Sequence, residues 1–289
     1  MVLDLTAPPK RRKQHKVRWL RFYSWALIGY LVVPIVAMVI YSFNQVQGGI
    51  PQVSFTWNGF TTKWYEQWSQ IPGLTESFWL SIRLALAATV IATILGTLLA
   101  LALVRYGPRQ FRGKGLIDQT LFMNIAAPEI VMGASLLGLF ASLHFARGFT
   151  TLLLSHAVFS IAYVTVVVRA RLIGFDGRLE EAASDLGAKP LTTFALVTLP
   201  VITPGVMAGA LMAFALSLDD FVASNFVSGS QLPFPVWVYG ATRIGIPPQV
   251  FVFGTFIFLF GLICAVLSVV LARKGASQDR ARTKELSRS

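Results

Sequence analysis

The stretch from Phe22 to Phe43 carries no charged side chain, and it opens a series of such runs that dominates the chain. An α-helix rises 1.5 Å per residue, so about 20 apolar residues cross the roughly 30 Å of hydrocarbon in a bilayer. The second run lies between Arg83 and Arg105. The third lies between Asp118 and Arg147 with Glu129 as its one acid, and the fourth spans Gly148 to Val168 around His156. The fifth, Val201 to Phe226, contains Asp219 and Asp220, and the sixth covers Gln249 to Ala272. The pattern predicts an all-α, polytopic membrane protein with six transmembrane helices. Composition agrees, because only 13% of the 289 residues are charged, about half the share usual in soluble domains.

The chain is nevertheless basic, at +12. Segments 1–21, 105–115, 169–189 and 273–289 hold 21 of the 25 Lys and Arg residues, leaving Lys63, Arg83, Arg147 and Arg243. Positive charge gathers on the cytoplasmic side of membrane helices, so this split puts both termini in the cytoplasm. It assigns 1–21 to a basic cytoplasmic segment, 22–272 to the transmembrane domain and 273–289 to a cytoplasmic tail. The bases sit in four short segments beside membrane helices, not on one surface with stacking aromatics, which argues against nucleic acid as a partner. The run Lys10 to Lys13 sets topology, with a grip on anionic headgroups as the other reading. No small-residue cleavage pattern follows it, so the first apolar run reads as a retained helix rather than a signal peptide.

Several chemistries find no support. One cysteine, Cys264, excludes an internal disulfide framework and reads as a packing residue. His144 and His156 lack a third ligand for a metal site. Ser155 beside His156 lacks the glycine frame and orienting acid of a hydrolase. Gly96, Gly133 and Gly138 read as points of close helix approach. The predicted outer loop 44–76 is rich in aromatics, including Trp57, Trp64, Tyr65 and Trp68, and loop 228–248 carries Pro233, Pro235, Pro247 and Pro248. Headgroup anchoring and docking of a partner are the two readings of those aromatics.

The cytoplasmic loop 176–200 has more order than a connector needs. Leu179, Ala182, Ala183 and Leu186 fall at helical spacing and make a small apolar face, with Glu180, Glu181 and Asp185 around it. Gly187 suits a left-handed cap, and Pro190 fits the first turn of a second short helix ending before Pro200. An interfacial helix lying on anionic lipid would carry Lys and Arg on its polar face. This polar face is acidic, which points to a protein partner.

These residues carry a resemblance. Glu181-Ala182-Ala183, three residues, Gly187, nine residues and Val197-Thr198-Leu199-Pro200 resemble the EAA loop of ABC-importer permeases, with Val197 where isoleucine is usual. The resemblance covers residues 20–272 and implies the ABC type I importer permease fold. It also implies that Glu181, Ala182, Ala183, Asp185, Gly187, Leu199 and Pro200 couple to a cytoplasmic ATPase. Ser217-Leu218-Asp219-Asp220-Phe221 with Phe226-Val227-Ser228-Gly229, and Ala127-Pro128-Glu129-Ile130-Val131 with Gly133, are similar to segments of polyamine (spermidine/putrescine) permeases. An aspartate is commoner there than Glu129. Tyr41-Ser42-Phe43-Asn44 and Trp64-Tyr65 agree as well. Permeases for thiamine, ferric iron or aminophosphonates share parts of these motifs and remain alternatives.

Acids inside apolar spans are costly and usually face a bundle interior or an aqueous path. Asp219 lies about 27 Å along the fifth helix from Val201, and Glu129 about 18 Å into the third, near mid-membrane. Neighbouring residues diverge by about 100° on a helix, so Asp219 and Asp220 are expected to face different ways. Ser217, Asp220 and Ser224 share a face and are the candidate lining of a translocation path. Glu129 is a further candidate, and Asp219 reads as pairing at a boundary. The alternative reading makes all three acids structural, paired with a second permease subunit. Carboxylates without Lys or Arg favour a cationic or neutral cargo over an anion, and a polyammonium chain suits carboxylates and aromatic faces.

The chain lacks a G-x-x-x-x-G-K-[ST] sequence. It is therefore expected to bind no cofactor of its own and not to be an enzyme, with ATP and magnesium used by a separate ATPase. The resemblance implies a second permease subunit, often a different chain, two copies of the ATPase, an extracytoplasmic substrate-binding protein and residence in the bacterial cytoplasmic (inner) membrane. A secondary transporter, working without an ATPase, is the rival class.

Overall fold

The computed structural model describes residues 15–46, 52–53, 56–107 and 109–263. The Lys10–Lys13 run, Cys264, the end of the sixth run and the tail 273–289 lie outside the described residues. Regular structure among the described residues is helical, apart from one isolated bridge between Asn44 and Phe60. Among the described residues four helices are long and apolar enough to cross a membrane, and the number is five if one bent pair counts as a single span. The described residues fall into two compact units, one drawn from 1–70 and 246–289 and one from 71–245.

In the first unit, α1 (His15–Tyr41) leaves Trp19, Phe22, Tyr23, Trp25 and Tyr30 exposed, a surface suited to lipid rather than water. Its end is pinned by the following loop. The buried Asn44 side chain donates to the Thr56 carbonyl at 2.8 Å and accepts from the Asn58 N–H at 2.9 Å. The buried Trp64 of α2 (Lys63–Glu66) donates its indole N–H to the Asn44 carbonyl at 2.9 Å. Tyr65 stacks on Phe43 at 4.8 Å and lies 2.7 Å from the Ser42 hydroxyl. Trp64 and Tyr65 therefore meet partners inside this unit, because tryptophan and tyrosine find polar groups in the turn itself. Trp57 alone among the four is half exposed, at 49%. The helix at the other end of this unit is described over Gln249–Ile263.

The second unit is built on α3 (Leu74–Arg105), α6 (Phe149–Ile173) and the span Pro190–Asp219. Ala92, Ala100, Leu101, Val164, Val168, Ile202 and Ala213 form its buried core. Small residues let these helices approach closely. A Cβ on Gly96 would lie 2.8 Å from Val164, and one on Gly133 would lie 2.6 Å from Phe226. Gly138, expected to do the same, meets nothing within 4 Å. Gly96→Leu is expected to lower stability by about 2 kcal/mol, the cost of overpacking a filled core. Thermal unfolding in detergent checks it, and Gly138→Leu should leave the midpoint unchanged.

Two spans depart from the sequence reading, each at proline. The third run is α4 (Lys114–Ala126) and α5 (Glu129–Ser142), bent by 114°. Proline drives the preceding residue out of the helical region, and Ala127 indeed sits at φ −67°, ψ 139° before Pro128. Glu129 is thus the first residue of a new helix, not a point midway along a continuous one. The second short helix of the 176–200 loop also fails to stop before Pro200. Pro190–Thr193 runs through a π-turn, Phe194–Thr198, into Leu199–Asp219 as one 30-residue span. Leu199 donates to the Phe194 carbonyl, five residues back. The widened turn stands just where Pro200 supplies no N–H, so the helix continues past it.

Candidate translocation site and coupling element

The span Pro190–Asp219 ends at its last residue because Asp220 turns extended, with φ −62° and ψ 114°. The chain then restarts as the short helix Val222–Val227, which the Asp220 carboxylate caps. It accepts from the Ala223 N–H at 3.3 Å and the Ser224 N–H at 2.8 Å. Ser217, Asp220 and Ser224, expected on one face, do converge, and they converge on His156 of α6. This ring is fully buried, with Nδ1 2.7 Å from the Ser217 hydroxyl and Nε2 3.0 Å from the Ser224 hydroxyl. Nε2 also lies 3.4 Å from the Asp220 carboxylate. Ser217 and Ser224 are buried against the ring, while Asp220 remains partly open.

That opening leads to a cavity of about 310 Å³. Glu129, Asp219 and Asp220 all line it, with Phe159, Tyr163 and Phe221. No Lys or Arg is among its lining residues within the described part of the chain. The helical argument that the two aspartates must face apart fails for a local reason. The 100° step between neighbours applies only inside a helix, and the helix stops between them. The Ala127–Pro128 break likewise brings Glu129 to the same space. Three carboxylates with aromatic faces form a site that attracts a cation and repels an anion.

A second constellation lies on the segment after α6. Arg178–Asp185 is helical and has no buried residue. Leu179 is 48% exposed and Leu186 90% exposed, so its apolar face looks outward beside Ala182. Gly187 has φ +82°, a conformation that favours glycine. Its N–H reaches the Ser184 carbonyl and that of Ala188 the Ala183 carbonyl, the paired bonds of a glycine-ended helix. Glu181 and Asp185 are exposed and, among the described residues, make no ion pair. Leu199 is partly buried against the core, and Pro200 is exposed.

Sequence reasoning missed two members of these sites. His156, which the sequence marks only as lacking a third metal ligand, lies on another run, and helical periodicity carries no signal that the Ser217–Ser224 stripe meets it. Glu180, next to the motif rather than in it, bonds both Arg105 and Thr198.

A helical fold of broken and unbroken apolar spans, with an acid-lined cavity and an exposed capped loop helix, defines a multi-pass membrane transport protein. Its solved structural neighbours share that architecture. A bacterial ABC transporter that imports the acidic polysaccharide alginate matches with a TM-score of 0.58 at 16% identity, covering 93% of this chain and 99% of that one. The inward-facing MetNI methionine ABC transporter matches with a TM-score of 0.57 at 14% identity, over 70% of this chain and 95% of that one.

Residues 109–276 match the model of the family described as binding-protein-dependent transport system inner membrane component. The spermidine/putrescine transport system permease protein PotC of Escherichia coli K12 is 39% identical over 261 residues, 89% of this chain and 96% of that protein. The putrescine transport system permease protein PotI of the same strain is 37% identical, covering 88% of this chain and 90% of that protein. The chain belongs to the family of binding-protein-dependent transport system inner membrane components.

Proposed function

We propose that this chain is the membrane-spanning permease subunit of an ATP-driven polyamine importer. The observation that carries the cargo is the cavity where Glu129, Asp219 and Asp220 meet Phe159, Tyr163 and Phe221 with no cationic side chain among the described residues. The 39% identity to a spermidine/putrescine permease over 89% of the chain supports the same reading. Carboxylates pair with ammonium groups, and the aromatic faces accept the cationic methylene chain between them. In this reading Asp220, held by His156 and the helix it caps, is the fixed anchor of the path. Ser217 and Ser224 hold the histidine that holds it, and Glu129 and Asp219 widen the negative field.

The topology goes with that role. Six spans occupy residues 22–272, the bent pair α4–α5 counting as one and the run 249–272 as the last. Both termini and the loop 176–200 face the cytoplasm, as the distribution of Lys and Arg requires. The exposed face of Leu179, Ala182 and Leu186, with Glu181, Asp185 and Gly187, docks on a separate ATPase that binds the ATP and magnesium. The complex contains a second permease subunit, two ATPase copies and an extracytoplasmic binding protein. ATP binding closes the ATPase pair and moves the loop. The bundle then opens outward, takes cargo from the binding protein and returns inward after hydrolysis. Such coupling needs a two-state bundle biased from both ends.

The test is uptake in a bacterial strain lacking its own polyamine importers and supplied with this chain and its partner subunits. Saturable entry of labelled putrescine or spermidine is expected, lost when this chain is omitted. Assembly of the complex without polyamine entry, or with entry of thiamine, ferric iron or an aminophosphonate instead, would contradict the cargo.

A further inference from the structure

Arg178–Asp185 poses a mechanical question. A short helix without a buried residue is not stable alone, yet a docking element must pass its displacement to the membrane spans. Its local bonds, such as Ser184 to the Glu180 carbonyl at 3.0 Å, do not leave the helix. Among the described residues, its side-chain bonds to other elements all come from the Glu180 carboxylate. That carboxylate accepts from the Arg105 guanidinium and from the Thr198 hydroxyl, and Arg105 also reaches the Thr198 hydroxyl at 3.3 Å.

The two partners occupy informative places. Arg105 is the last residue of α3, a 32-residue helix, where a cation complements the helix dipole. Thr198 is fully buried and closes the π-turn immediately before Leu199–Asp219, the helix that ends at the acid-lined cavity. One carboxylate therefore joins the loop helix to two of the three core spans at once.

We propose that Arg105, Glu180 and Thr198 form the tether that carries displacement of the loop helix into α3 and the span Pro190–Asp219, with Glu180 as a positioning residue for coupling rather than a docking residue. This rests on the reading of residues 176–200 as the ATPase-docking loop. Arg105 is 40% exposed and Glu180 27% exposed in their side chains. Partly exposed ion pairs add little to fold stability, so breaking this one disturbs transmission and leaves insertion and docking in place. Glu181, one residue on, faces outward and has the opposite assignment.

The experiment uses the complete complex in proteoliposomes, with Arg105→Glu, Glu180→Arg and the double exchange. Readouts are co-purification of the ATPase, hydrolysis stimulated by the loaded binding protein, and putrescine uptake. Each single variant is expected to keep co-purification while losing about tenfold or more of stimulated hydrolysis and uptake, a typical coupling change. The double exchange should regain uptake to within about threefold of the parent, as a direct pair requires. Arg105→Lys should retain most of it. Single variants with parental uptake, or a double variant no better than the singles, would overturn the tether. A parent complex showing no stimulated hydrolysis would instead overturn the transport reading beneath it.

Discussion

Asp220→Ala is expected to lower polyamine uptake about 100-fold while the chain still inserts. Asp220 accepts two backbone N–H bonds that start the helix Val222–Val227, sits 3.4 Å from the His156 ring and opens on the cavity. Charge-assisted hydrogen bonds are each worth about 1.5–3 kcal/mol, and the loss of one such contact to a bound ammonium corresponds to roughly 100-fold. Asp220→Asn separates the charge from the cap, since its amide oxygen still accepts a backbone N–H. The asparagine variant should therefore appear in the membrane at parental level yet take up putrescine nearly as poorly as the alanine variant. His156→Ala removes the ring that fixes the carboxylate without removing the charge. It should raise the half-saturating concentration more than it lowers the maximal rate, and His156→Gln should restore part of the difference. Uptake by Asp220→Asn with parental kinetics would take Asp220 out of the path.

Glu181→Lys is expected to abolish uptake by detaching the ATPase. Glu181 lies in the first turn of Arg178–Asp185, exposed and outside every ion pair among the described residues. Reversing a charge near a helix N-terminus costs only about 0.3–1 kcal/mol of helix stability. Truncating one partner of a buried interfacial charge pair costs about 2–5 kcal/mol or more, and reversal adds repulsion. Docking, not folding, should therefore carry the loss. The ATPase should fail to co-purify with Glu181→Lys and remain bound to Glu180→Arg. Those opposite outcomes at adjacent residues distinguish a docking charge from a tether. A Glu181→Lys complex that assembles and transports normally would remove this face from the interface.

Much of this architecture is legible in the sequence because the bilayer imposes a single length scale. Charge-free runs of the needed length announce spans, and Gly187 after the Leu179–Leu186 face announces the capped helix that the structure contains. The convergence of Ser217, Asp220 and Ser224 was legible as a stripe. Its partner was not, because His156 belongs to another run and helical periodicity says nothing about which spans touch. Proline marked both departures. Pro128 broke a run that composition alone made continuous, and Pro200 failed to break one because the π-turn before it absorbed the missing N–H. The break at Pro128, with the helix end at Asp219, brings the three acids to one cavity. A strictly helical reading kept them apart. Composition cannot reveal such a site, since it comes from where helices stop.

The most direct test of the account is polyamine flux in proteoliposomes holding this chain, its partner permease, the ATPase and the binding protein. The account predicts putrescine accumulation that requires internal ATP and the binding protein, is blocked by excess spermidine and is unaffected by sulfate. Accumulation by the permease chains without the ATPase, or ATP-driven accumulation of an anion in place of putrescine, would contradict it.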